Sequence, residues 1–235
     1  MKKIIFTFTA FALLATMSGG IAFAVTNPLI GKIIALDAGH GGGETGATNI
    51  IDGVLVTEAE VNLSVVNALK LKLEEQGAKA VIVARLSSRK DRVNDAIAQC
   101  ATFDLNNDGV GDKCNALVSI HHNGSTDANY DGTLVIYNEK KDKPLAEKLL
   151  AALTPLTGNS DGLENGGYGM TVYGNLVSVI TEAYFITNDA KASRYLNDLN
   201  AEGVSNLVIQ EADAQVKGIS DYFASQTSGG GGRQR

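Results

Sequence analysis

The 235-residue chain contains only three histidines, His40, His121 and His122. Each follows a short apolar run: Ile33-Ile34-Ala35-Leu36-Asp37-Ala38 precedes the first, and Asn115-Ala116-Leu117-Val118-Ser119-Ile120 precedes the pair. Two acids are placed in a comparable way. Leu176-Val177-Ser178-Val179-Ile180-Thr181 runs into Glu182, and Glu58 stands where a helix should begin. Two histidines and a glutamate are a sufficient ligand set for a catalytic zinc, which takes three protein ligands and keeps one position for water. Zinc brings the pKa of that water to ~7 and polarises a carbonyl, and a further carboxylate passes the proton to a leaving amine. The chemistry expected is hydrolysis of an amide. Neighbouring strand residues point to opposite faces, so only one of His121 and His122 should meet the metal, the other packing or meeting substrate. Glu60 is explained by helix capping without any metal, which favours Glu58 as the ligand. Glu44, in the glycine-rich loop, reads as solvated. That loop lacks the lysine and the glycine spacing of a phosphate cradle. Its glycines are read as clearance for substrate.

Strands must carry these groups to one edge. Residues 32–37 form the first strand, and a Gly-, Thr- and Asn-rich loop spans 38–57. Thr57 with Glu60 three residues on is a capping box. Val61, Val65, Ala68, Leu69 and Leu73 then repeat at helical spacing up to Gly77. Residues 80–84 form a second strand, so the unit is strand, helix, strand with a right-handed crossover. A helix over 88–101, an acidic loop over 104–113, and strands at 115–121, 132–137 and 176–181 follow. Pro144 opens a helix to about residue 153, residues 159–168 read as a loop, and helices are expected at 190–199 and 204–223. Arg85, at the end of the second strand, is a candidate partner for a carboxylate. Strands alternating with helices, apolar rather than alternating in pattern, make an α/β sandwich with a mainly parallel sheet. Sites in such sheets lie at the carboxyl ends of the strands.

The chain has 20 Lys+Arg against 26 Asp+Glu, a net charge of -6, and no tryptophan. That balance speaks against a nucleic-acid partner, which needs a basic face. Met1-Lys2-Lys3, an apolar core and Ala22-Phe23-Ala24 together read as a secretory signal peptide over 1–24. The core is too short to span a bilayer, and no membrane span is expected after cleavage. The catalytic domain should occupy 25–224 as a monomer, and 225–235, with four consecutive glycines, should be a disordered tail. In an exported protein the two cysteines, Cys100 and Cys114, should pair, closing a loop worth about 3 kcal/mol. Residues 104–114 alternate oxygen-bearing side chains around Gly109 in the manner of a calcium loop, without the glutamate of a full EF-hand loop. The segment resembles one thrombospondin type 3 repeat, which implies a structural Ca2+ on Asp104, Asn106, Asp108, Asp112 and the Val110 carbonyl.

Four stretches also resemble, in order, the motifs of the zinc-dependent N-acetylmuramoyl-L-alanine amidases, the type 3 amidase family: Leu36-Asp37-Ala38-Gly39-His40-Gly41-Gly42, Glu58-Ala59-Glu60-Val61-Asn62-Leu63, Val118-Ser119-Ile120-His121-His122-Asn123, and Ile180-Thr181-Glu182-Ala183-Tyr184-Phe185-Ile186-Thr187-Asn188. The resemblance implies that His40, Glu58 and His121 hold Zn2+ and that Glu182 is catalytic. It implies peptidoglycan as substrate, cut between N-acetylmuramic acid and the L-alanine of the stem peptide. It also implies a mixed six-stranded sheet with helices on both faces. Two departures stand out. The family's proline before the fourth strand is missing from Asn175-Leu176-Val177-Ser178-Val179, and Thr181 and Tyr184 flank the acid where the family has valine and a small residue. Only about 60 residues separate His121 from Glu182, which leaves little room for the inhibitory helical insertion of some members, so an enzyme free of that autoinhibition is expected. The alternatives are a zinc carboxypeptidase or other amidohydrolase on a related fold, and a silent wall-binding module.

Overall fold

The computed structural model describes residues 27–228. Six strands form one sheet in the order β4-β1-β5-β8-β6-β7, from β1 (Ile33–Ala38), β4 (Lys79–Ile82), β5 (Ala116–Asn123), β6 (Thr133–Tyr137), β7 (Ser160–Asn165) and β8 (Ser178–Phe185). β2 (Thr48–Ile51) and β3 (Val54–Thr57) form a separate hairpin. Every pairing in the main sheet is parallel except β6 against β8. The helices are α1 (Glu58–Glu75), α2 (Arg89–Cys100), α3 (Lys143–Leu153), α4 (Gly169–Val172), α5 (Asp189–Asn197) and α6 (Asn206–Ser228). The fold is the mixed, mainly parallel α/β sandwich expected.

Period-2 geometry divides the strand residues between two cores. Ile34, Leu36 and Ala38 of β1 pack with Val118 and Ile120 of β5 against α1, α3 and α6. Ile33 and Ala35 join Leu117 and Ile180 against α2 and α4. Both faces are covered, which is why the strands read as unbroken apolar runs. The α1 start is built as its sequence indicated. The Glu60 amide donates to Thr57 Oγ1 at 3.2 Å, and that hydroxyl donates to Glu60 Oε2 at 3.0 Å.

Some elements differ from the sequence reading. Residues 48–57, assigned to a loop, form the β2–β3 hairpin around Asp52-Gly53, both at positive φ (51° and 81°), the backbone of a type I′ turn. β7 lies within the other assigned loop; it is a polar edge strand paired only with β6. β5 and β8 continue past His121 and Glu182, so both residues sit inside strands, opposite each other in register. α6 runs to Ser228, into the segment assigned to a disordered tail. The signal-peptide assignment and the rest of that tail lie outside the described residues. No described helix is long and apolar enough to cross a membrane. Cys100, at the end of α2, is disulfide-bonded to Cys114, just before β5.

Candidate active site

His40 follows β1, Glu58 opens α1, and His121 lies near the end of β5. Here β4 and β5 flank β1 on its two sides, so the chain's path reverses and leaves a crevice at the carboxyl ends. One potential ligand atom from each of His40, Glu58 and His121 lies within 4.8 Å of the others, the only such group of three among the described residues. Glu58 Oε2 is 3.0 Å from His40 Nε2, and Oε1 is 2.9 Å from His121 Nδ1. The Glu58 carboxylate is buried, while the two imidazoles keep 23% and 18% exposure. Two imidazole nitrogens and a carboxylate oxygen, open on one side, fit a borderline-soft divalent metal with a free position. Burial alone would raise the Glu58 pKa. Hydrogen bonds from His121 and then His40 outweigh it, and hold the acid well below its ordinary 4.5.

The backbone that delivers His40 is strained and held. His40 has φ 59°, a left-handed conformation uncommon for a residue with a side chain. Its carbonyl accepts from Arg85 Nε at 3.1 Å and Arg92 Nη2 at 2.7 Å. Arg85 also reaches the Gly39 and Ala59 carbonyls, so it binds backbone oxygens rather than a carboxylate. Arg92 is ion-paired at 3.0 Å with buried Asp37. Of the loop glycines, Gly39 and Gly46 clear space for the site's own side chains and Gly41 for Arg85, while Gly43 faces open space. A Cβ at Gly39 would stand 2.3 Å from the His121 ring, and one at Gly46 would stand 2.3 Å from Glu58 Oε2.

Glu182 projects from β8 toward the α2 and α4 side, as its strand mate Ile180 does. With His121 it lines a cavity of about 360 Å³ walled by Leu134, Ile136 and Met170, with Arg89, Glu164 and Tyr168 at the rim. Glu182 Oε2 is shielded and has no hydrogen-bond partner. Burial first, then the charges of Glu58 and Glu164, push its pKa well above 4.5. A buried carboxyl with a raised pKa, in one cavity with His121, suits acid–base work. A cavity of about 840 Å³ between α1 and the α5–α6 corner shares none of these residues.

His122 faces away from the group of three. It is buried between Asn62 and Glu211, its ring 4.3 Å from that of Tyr184. Glu44 lies 3.9 Å from His40 Nδ1 and is exposed. The acidic loop is not gathered into a metal cluster. Asp104 accepts from the amides of Asp108 and Gly109, Asp108 from that of Val110, and Asp112 from that of Leu105. The alternating oxygens thus cap the loop's own turns, and calcium gains no support. Arg92, Asn62 and Glu211 were not singled out from the sequence. Glu211 carried a legible signal: it lies four residues after Leu207 and one before Ala212, on the apolar face of α6.

Residues 34–211 match the model of the N-acetylmuramoyl-L-alanine amidase family. The chain belongs to that family. N-acetylmuramoyl-L-alanine amidase LytC of Bacillus subtilis (strain 168) is 33% identical over 182 residues, covering 76% of this chain and 34% of that protein. The probable cell wall amidase LytH of Staphylococcus epidermidis is 26% identical over 203 residues, covering 85% of this chain and 61% of that one. The chain therefore spans between a third and three fifths of these relatives. The catalytic domain of CwlV, an N-acetylmuramoyl-L-alanine amidase from Bacillus (Paenibacillus) polymyxa var. colistinus, superposes with a TM-score of 0.66 at 24% identity, covering 82% of this chain and 98% of that domain. The amidase fold is thus shared well beyond the motifs.

Proposed function

We propose that this amidase-family chain is an exported, monomeric zinc hydrolase that cleaves the amide between the lactyl group of N-acetylmuramic acid and the L-alanine of peptidoglycan stem peptides. One observation carries the reading: His40, Glu58 and His121 meet at the carboxyl edge of the sheet, with Glu182 opposite His121 in register. The likeness to an N-acetylmuramoyl-L-alanine amidase and to a probable cell wall amidase supports the substrate and the export.

His40, Glu58 and His121 would hold the zinc. When bound, it supplies Lewis acidity that polarises the scissile carbonyl and acidifies water. Glu182, as the carboxylate, takes the proton of the attacking water and, as the carboxyl, returns it to the alanine nitrogen as the C–N bond breaks. Its cavity favours the second step, because burial and neighbouring acids favour the protonated carboxyl. The apolar walls from Leu134, Ile136 and Met170 exclude water around that proton. Helix α3, in the segment between the third and fourth motifs, packs its buried face, Leu145, Leu149 and Leu153, into the core. This supports activity without a releasing partner.

Purified protein should solubilise dye-labelled sacculi on its own. Glu182→Ala should abolish this, as should a chelator, and zinc should restore the chelated enzyme. Sacculi that Glu182→Ala still binds fit the amidase reading. Wild-type protein that binds without cutting would favour the wall-binding module instead.

A further inference from the structure

Behind the metal site runs a chain of buried polar groups that the reaction itself does not use. Glu211 of α6 places Oε2 2.8 Å from His122 Nε2. His122 Nδ1 lies 2.7 Å from Asn62 Oδ1 on α1. Asn62 Nδ2 lies 3.1 Å from the Gly39 carbonyl and 3.3 Å from Glu58 Oε1. The His122 backbone amide donates to the same Glu58 oxygen at 3.2 Å. Asn62, Glu211 and His122 are all essentially without solvent exposure.

Each orientation in this chain is forced by the next. The Gly39 oxygen accepts only, so the Asn62 amide nitrogen must face it. Both amide hydrogens are then spent, on Gly39 and on Glu58, and Asn62 Oδ1 needs a donor. His122 Nδ1–H is that donor. Its Nε2 then faces a Glu211 oxygen with one proton between them, whichever atom carries it. Remove Glu211 and an imidazole nitrogen is left unmet in a dry interior, which such interiors do not tolerate. The ring would leave this orientation, and Asn62 Oδ1 would lose its donor.

We propose that Glu211 and His122 are a positioning pair for the metal site, holding Asn62 so that the Glu58 carboxylate faces His40 and His121 together. The inference rests on the zinc reading above and extends it to a helix that contributes no ligand. Groups that orient a metal ligand are worth about 10–100-fold in metal affinity. A pair that merely glued α6 to the sheet would change stability and leave metal affinity alone.

The test measures the zinc dissociation constant by chelator competition and the absorption spectrum of the cobalt-substituted protein. Glu211→Leu and His122→Phe break the same hydrogen bond from its two ends, so one folded variant suffices. Either should weaken zinc about 10–100-fold and alter the cobalt spectrum. Glu211→Gln, whose amide N–H can donate to His122 Nε2, should stay within about threefold of wild type. Ile219→Ala, a cavity variant on the same helix, should lower the melting temperature and leave the zinc constant unchanged. A folded Glu211→Leu or His122→Phe with the wild-type zinc constant and spectrum overturns the proposal. So does a Glu211→Gln as weak as Glu211→Leu. Wild-type protein that takes up no metal overturns the zinc reading and this inference with it, and the first measurement tells that failure apart.

Discussion

Glu182 is buried with no hydrogen-bond partner for Oε2, and this has a consequence for how stability varies with pH. In the metal-free protein its folded-state pKa is raised above the ordinary 4.5. Its contribution to stability is then fully present below that value and lost as pH rises through the folded value. Glu182→Gln removes the ionisation. Thermal scans in chelator should show the variant matching wild type near pH 4 and exceeding it at pH 8, while hydrolysis falls by about 10²–10⁴-fold. A variant less stable than wild type at pH 8 would contradict the burial argument. Glu58 has the opposite sign: its depressed pKa supports stability above 4.5, lost only as pH falls below that value. Gly39 gives a steric test. A methyl group there would stand 2.3 Å from the His121 ring, so Gly39→Ala should weaken zinc uptake more than about tenfold, in line with other changes that misplace a ligand. An unchanged zinc constant would show that His121 can move at no cost. From sequence Gly39 read as room for substrate, because a sequence does not reveal that the His121 ring fills the space beside it.

At the scale of elements, α2 is the buttress of the site. It presents Arg92 to Asp37 and to the carbonyls of Ala38 and His40, and its last residue is tied to Cys114. Arg92→Met leaves buried Asp37 without its counter-charge, only the Ser119 hydroxyl still donating to it, and should cost about 3–5 kcal/mol in denaturant unfolding. A loss under about 1 kcal/mol would mean that Asp37 finds another partner or protonates. Replacing both cysteines by serine should cost about 3 kcal/mol for a loop of this length, checked by the same unfolding curves under oxidising conditions. Helix α1 was legible from Thr57 to Gly77 because its cap, apolar face and stop signal all agree. The β2–β3 hairpin was missed although Asp52-Gly53 is a strong turn signal, because its Ile50, Val54 and Leu55 are exposed and form no core pattern. β7 was missed because Ser160-Asp161-Gly162-Leu163-Glu164-Asn165 is polar; an edge strand held by one neighbour needs no apolar run. β5 and β8 overran their assigned ends because the polar residues that looked like terminators are the site itself.

The molecule as a whole follows one rule of parallel sheets, that the carboxyl ends of strands on either side of a reversal form a crevice. His40, His121 and Glu182 were legible because each interrupts an apolar run at that edge. Glu58 was legible from its place beside a capping box, and the capping role of Glu60 left Glu58 as the ligand. The supporting layer was legible only in Glu211, a carboxylate on the apolar face of α6. Arg92 and His122 meet partners far away in the chain, and only the folded sheet brings them together. The calcium reading gains no support for a related reason, since alternating oxygens serve a loop's own amides as readily as a cation. The bond that is cut distinguishes an amidase from every other hydrolase of the wall. Mass spectrometry of peptidoglycan digested by the wild-type protein should show stem peptides with free L-alanine N-termini and glycan strands with free lactyl carboxyls, both absent from the Glu182→Ala digest. Products cut within the peptide or within the glycan, or uncut sacculi with zinc supplied, would contradict the amidase reading.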